Sequence, residues 1–212
     1  MRIRTFGAAL AVLTTLALGA CSVVGGEAAK EPPYTVVRAD APFEIRDYGE
    51  LVIVKTAMQE GSRGAFGKLF EYISGANSGK REIAMTAPVL RTDQDQGAKI
   101  AMTAPVLQTR DGQGDMIFVL PEEFDAETAP LPTDPAVTLE TIAPRRVAVV
   151  RFSGSMDDAA VAEQRAALLA WMDSQGLTPA GPAQSAGYNP PWTVPALRRN
   201  EVLVPIDPAT GG

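Results

Sequence analysis

Apolar and polar residues alternate with period two in several short runs of this chain. Phe43-Glu-Ile-Arg-Asp-Tyr48 alternates, Gly49-Glu50 has turn character, and Leu51-Val-Ile-Val54 continues toward Met58. That pattern predicts a strand pair with a tight connection. The period then changes. Phe66, Leu69, Phe70 and Ile73 fall at i, i+3, i+4 and i+7, the spacing of one helical face. Ser62 stands where a cap is needed, and Gly75 is a stop signal. Gly64 and Gly67 each weaken such a helix by about 1 kcal/mol relative to Ala. They admit either close packing on a sheet, the simpler reading, or the approach of something flat.

The same order of elements returns further along. Val137–Ile142 and Arg146–Phe152 predict a second strand pair turning near Pro144. An Ala-rich helix follows, capped by Ser155, ending near Gln175-Gly176 and burying Val161, Leu168, Trp171 and Met172. Asp115–Leu120 and Val202–Ile206 read as further strands, and Pro121–Pro135 as a proline- and acid-rich loop. Strand, strand, helix and strand therefore occur twice, which places the chain in the α+β class.

One octapeptide is written twice: Ile83-Ala-Met-Thr-Ala-Pro-Val-Leu90 and Ile100-Ala-Met-Thr-Ala-Pro-Val-Leu107. The copies predict two neighbouring antiparallel strands. Pro88 and Pro105 cannot donate to a ladder, so each requires an edge, a bulge or a strand end. Thr86 and Thr103 offer hydroxyls to backbone freed by that irregularity. Alternation puts Ile83, Met85, Ala87 and Val89 on one face, repeated by Ile100, Met102, Ala104 and Val106. Methionines there suit an ordinary core or an adaptable ligand wall.

The phrase Ile-Ala-Met-Thr-Ala-Pro-Val resembles the signature of the SOUL family of haem-binding proteins. Further matches fall in order: Glu44-Ile-Arg46, Phe70-Glu-Tyr-Ile-Ser-Gly-Ala-Asn77, Phe118-Val-Leu-Pro121, Gly187-Tyr-Asn-Pro-Pro-Trp-Thr193 and Arg198-Arg-Asn-Glu-Val202. The resemblance covers about residues 34–206. It implies a distorted antiparallel β-barrel of two similar halves carrying two helices, and binding of haem or another tetrapyrrole on a surface that includes the first helix. By position it implies Arg63 as a propionate partner, Phe66 and Phe70 as an apolar bed, and the Tyr188–Thr193 loop, with Tyr188 and Trp192, as a lid. The structural alternatives are sheet packing for the two phenylalanines and a solvated helix-start charge for Arg63. Some relatives have a histidine suggested as a ligand, whereas this chain has none. Met58, Met85, Met102, Tyr72 and Tyr188 remain as candidate iron ligands. Glu71 stands where a relative places a basic residue beside the pocket. Arg198, Asn200 and Glu201 read as holding the closing strand.

The N-terminus changes the setting. Arg2 and Arg4 precede an apolar run between Phe6 and Ala20 that is short for a membrane span. Leu18-Gly19-Ala20-Cys21 reads as a lipobox, with Cys21 as the lipidated residue. The expected organisation is a signal peptide at 1–20, the lipidated Cys21 with a tether at 21–33, the domain at 34–207 and a tail at 208–212. Ser22 after the cysteine favours outer-membrane sorting over inner-membrane retention, so a periplasm-facing lipoprotein is expected.

Without Arg2 and Arg4 the chain has 17 basic and 25 acidic residues, a net charge of −8 that argues against a nucleic-acid or anionic-lipid surface as a partner. The absence of histidine removes the usual general base and the commonest metal ligand, and no metal site is expected. Asp93–Gly97 lacks the closing Glu of a calcium loop. A non-catalytic tetrapyrrole-binding domain is therefore expected, the alternative being a cell-envelope protein–protein interaction module that uses the same fold without haem.

Overall fold

The computed structural model describes residues 30–92, 114–190 and 192–207. Cys21, the second octapeptide with Met102 and Pro105, and the tail 208–212 lie outside the described residues. The elements run β1 (Tyr34–Asp40), β2 (Phe43–Tyr48), β3 (Leu51–Ala57), α1 (Gly61–Ile73), β4 (Val89–Thr92), β5 (Asp115–Val119), β6 (Thr138–Ile142), β7 (Arg145–Phe152), α2 (Asp158–Ser174), β8 (Gln184–Gly187) and β9 (Asn200–Pro205). The strands form one curled antiparallel half-barrel in the order β1-β2-β7-β9-β8-β4-β5-β3-β6.

Alternation along the strands divides the core in three. Val52, Val54, Met116 and Phe118 point to the face that α1 covers. Ile45, Ala148, Val150, Val202 and Val204 point to α2. Leu51, Ile53, Ile117, Val119, Val147, Val149 and Leu203, from the opposite positions of the same strands, close the concave side. Both faces of β3 and β7 are thus buried, which is why their sequences read as almost continuous apolar runs.

The two halves match: β3-α1-β4-β5 corresponds to β7-α2-β8-β9. In each, the last strand lies between the other two, and β4 pairs with β8 where the halves meet. The predicted hairpins do not form. β2 pairs with β1 and β7, while β3 pairs with β5 and β6. Each half thus sends its first strand to the sheet of the other half. Local pattern predicts β2, β3, β5, β6, β7 and β9 but gives no signal for β1 or β8, and the partners are set by the concave core.

The octapeptide also departs from its expected form. Only Val89 and Leu90 of the first copy are in a strand, and residues 83–88 are irregular. β4 pairs with β5 on one side and with β8 on the other. Pro88 ends the irregular stretch just before the ladder, the strand-end position its missing N–H requires. Thr86 Oγ1 donates to the Val119 carbonyl, and Ala87 N donates to the Lys30 carbonyl.

Helix boundaries shift slightly as well. Glu60 occupies the N-cap of α1 without a side-chain cap bond, and Ser62 lies inside the helix. Asp157 caps α2 by accepting from Ala160 N at 2.9 Å, and Ser155 Oγ accepts from Asp157 N instead. Gly75 and Gly176 end the two helices at positive φ, as their type allows. The buried face of α2 is Val161, Leu168, Trp171 and Met172, as the spacing predicts.

Candidate functional site

Helix α1 buries Ala65, Leu69, Tyr72 and Ile73. Tyr72 can occupy that face because its hydroxyl donates to the Pro130 carbonyl at 2.8 Å. The buried stripe is therefore rotated from the expected one, and Phe66 and Phe70 stand 37% and 48% exposed. Their rings lie 6.0 Å apart and nearly parallel, at 14°. Phe66 also meets Phe118 edge-on at 5.4 Å, so sheet contact accounts for one side of its ring.

Arg63, Phe66, Gly67 and Phe70 fall at i, i+3, i+4 and i+7 and so share this outward face. Arg63 is exposed, and among the described residues no side-chain partner engages it. A Cβ added at Gly67 would meet nothing within 4 Å. Close packing on the sheet therefore does not explain this glycine. It leaves open space beside the two stacked rings, on the helix face that also carries Arg63. At Gly64 the crowding atom is Glu60 Cβ of the preceding turn, 2.9 Å from an added Cβ.

Met85 follows α1 in the irregular stretch and is 38% exposed. Met58 is buried in the core beneath α1, and Ser62 Oγ lies 3.9 Å from its sulfur. Tyr72 is buried and hydrogen-bonded, and burial pushes its phenol up to about 12. Neither is open to a ligand. Met102 lies outside the described residues. Met85 is the remaining methionine candidate with an accessible side chain.

Tyr188 points elsewhere, into a charge cluster on the concave side. Its hydroxyl donates to Glu201 Oε2 at 2.6 Å, and the Arg199 guanidinium lies 3.9 Å from its ring centre. Glu201 is fully buried and also accepts from Arg46 Nη1 at 2.8 Å, Arg46 Nη2 at 3.0 Å and Arg199 Nε at 3.0 Å. Arg46 in turn donates to Glu44 at 2.7 Å, and Arg199 to Glu31 at 2.8 Å. Burial alone would raise the Glu201 carboxyl, but the Arg46 hydrogen bonds and charge, with Tyr188 and Arg199, outweigh it and hold the group below its ordinary range. Burial, reinforced by the Glu201 charge, pushes the Tyr188 phenol well above its usual value. This cluster unites Glu44-Ile-Arg46 with Arg198-Arg-Asn-Glu-Val202. It is a structural lock, and sequence spacing gave no signal that the two motifs meet.

Asn200 Nδ2 donates to the Gly154 carbonyl at 3.1 Å and Arg198 Nε to the Thr193 carbonyl at 2.8 Å, so these residues do hold the closing segment. Asn77 serves the first half similarly, donating to the Tyr72 and Arg81 carbonyls while accepting from Gly79 and Arg81 amides. Trp192 is 83% exposed, on the loop between β8 and β9. The structure thus brings Arg63, Phe66 and Phe70 together on α1, with Tyr188 and Trp192 placed around a different set of contacts. Among the described residues, no group of three or more His, Cys, Asp or Glu could hold a metal ion.

A small α+β domain whose first helix exposes two phenylalanines is the class this arrangement defines. The chain belongs to the SOUL family: the family model described as SOUL heme-binding protein matches residues 29–205. Haem or tetrapyrrole binding is thereby supported at the level of the family. No curated protein matches the chain. Among solved structures, the EcmrR C-terminal domain is similar at a TM-score of 0.55 and 12% identity, covering 82% of this chain and 98% of that one. A hydrolase encoded by lin2189 from Listeria innocua is similar at 0.55 and 12%, covering 78% and 91%. At such identities the likeness concerns the fold alone.

Proposed function

We propose that the chain is a lipid-anchored, periplasm-facing binding protein, without catalytic activity, for haem or a related tetrapyrrole, which lies against the outward face of α1. The observation that carries this reading is the exposed, stacked pair Phe66 and Phe70, with open space at Gly67 and the unengaged Arg63 on the same helix face. A flat macrocycle stacks on such rings, and a guanidinium matches a propionate through charge-assisted hydrogen bonds. The absence of histidine means that any iron coordination falls to a weaker donor such as Met85 or Met102, or to no protein ligand. Affinity then rests on stacking and charge. The anchor in this reading is a lipid on Cys21, with sorting to the outer membrane.

Haemin titration of the purified protein, followed in the Soret band, tests the site. Saturable binding is expected. Gly67→Leu adds a side chain where a Cβ meets nothing within 4 Å, and it should abolish binding while raising helix propensity. Arg63→Ala should weaken binding by about 1.5–3 kcal/mol, the range for a hydrogen bond to a charged group. No saturable shift in the wild type, or identical binding by both variants, refutes the site. The first result would favour the envelope protein-interaction module, for which the exposed phenylalanines would serve as the docking patch.

A further inference from the structure

The loop between β8 and β9 carries an apolar surface unrelated to α1. Trp192, Val194 and Leu197 are 83%, 60% and 65% exposed within six positions. Exposure here is built in. Thr193 N donates to the Pro190 carbonyl, Leu197 N to Val194, Arg198 N to Pro195, and Gly154 N to Pro195, with all four distances between 2.8 and 3.1 Å. The Arg198 guanidinium holds the Thr193 carbonyl from the other side. A loop braced in this way cannot fold its apolar side chains back onto the protein, so presenting them costs little further conformational entropy.

Beside the loop lies a cleft of about 600 Å³ lined by Arg151, Ser153, Arg198 and Arg199, with Phe152 and Leu197 as its apolar part and Glu44 as its acid. Arg151 is exposed and has no side-chain partner among the described residues. Arg199 is ion-paired with Glu31 and Glu201, so the positive charge this cleft offers an anion comes chiefly from Arg151. The base of the loop is also tied to the segment that precedes β1: Arg199 grips Glu31 at 2.8 and 2.9 Å. Even fully extended, the segment from Cys21 to Lys30 could hold the domain no more than about 30 Å from a lipid at Cys21.

We infer that this loop docks the domain on a phospholipid bilayer, with Trp192, Val194 and Leu197 entering the interface and Arg151 meeting headgroup phosphate. Tryptophan favours the headgroup level, and arginine binds phosphate in a planar, bidentate fashion. The direction of approach rests on the proposed anchor at Cys21, whereas the insertion chemistry does not.

The test uses the full chain reconstituted in vesicles of phosphatidylethanolamine and phosphatidylglycerol with acyl-chain-brominated lipid. Trp171 is buried, so the difference between wild type and Trp192→Phe isolates the loop signal. Bromolipid quenching, a blue shift and reduced acrylamide access are expected for Trp192. In a second arm, full-chain Cys21→Ser is added to the same vesicles. Salt-sensitive binding is expected there, falling about tenfold or more when Trp192→Ala is added, as loss of an inserted aromatic side chain predicts. Trp192 that stays unquenched by bromolipid and open to acrylamide in the anchored protein overturns the proposal. Trp192 shielded in native envelopes but not in protein-free vesicles marks a protein partner and also overturns it. If the wild type is not recovered with membranes, the anchor reading fails, and the second arm alone decides for or against the loop.

Discussion

Replacing Glu201 by Gln would break the buried charge cluster at its centre. The carboxylate accepts from Arg46 at 2.8 and 3.0 Å, Tyr188 at 2.6 Å and Arg199 at 3.0 Å, and it has no solvent exposure. The amide would leave the Arg46 guanidinium, 2% exposed, without its main counter-charge. Removing one partner of a buried pair costs about 3–5 kcal/mol. Glu44 still reaches Arg46, and Glu31 still reaches Arg199, so the lower end of that range is expected. For a domain of this size that corresponds to a loss in Tm of about 6–12 °C. The folded carboxyl titrates below its ordinary value of 4.5. Its contribution is therefore complete above about pH 4.5 and is lost as pH falls through the lower, folded value. Urea unfolding across pH 3–7 measures both effects: Glu201→Gln should lower stability at neutral pH and flatten the acid limb. Adding Arg46→Met removes the orphaned charge and should recover part of the loss. A single-variant cost under about 1 kcal/mol at pH 7, or a double variant worse than the single one, would refute the reasoning.

Tyr72→Phe strands the Pro130 carbonyl and should cost about 1–3 kcal/mol in urea unfolding, while removing a phenol that ionises near 12 from the alkaline absorbance titration. Leu168→Ala, at a site with no exposure beneath α2, should cost about 2–5 kcal/mol and lower Tm without altering haemin affinity. Cys21→Ser should shift the protein from the membrane to the soluble fraction and abolish palmitate labelling, and labelling that persists would rule out Cys21 as the anchor.

The motifs of the sequence resembled a family, and through it the barrel of two halves was legible before any coordinate. So were most individual strands, because half-buried alternation is a local property, whereas β1, exposed along most of its length, and the four-residue β8 gave no such signal. Pairing was not legible. Gly49-Glu50 looks like a hairpin turn, yet β2 leaves for β7, since concave packing of Tyr48 with Val147 and Val149 outweighs the short connection. On α1 the 3.6-residue spacing identified the helix but not its rotation. Phe66, Leu69, Phe70 and Ile73 form a plausible stripe, and only the bond from Tyr72 to Pro130 explains why a tyrosine is buried while the phenylalanines face out. The lock at Glu201 joins residues 155 apart, beyond the reach of any local pattern.

The crossing of β2 to β7 and of β6 to β3 has a consequence for how such a fold can be divided or assembled. A fragment cut at the junction between the halves would part β2, still paired with β1, from β7 and part β6 from β3. Two copies of a single half, trading those strands reciprocally, would rebuild the whole sheet. The fused chain is therefore the covalent form of an interlocked dimer, and joining the units replaces an encounter between two molecules with an internal one.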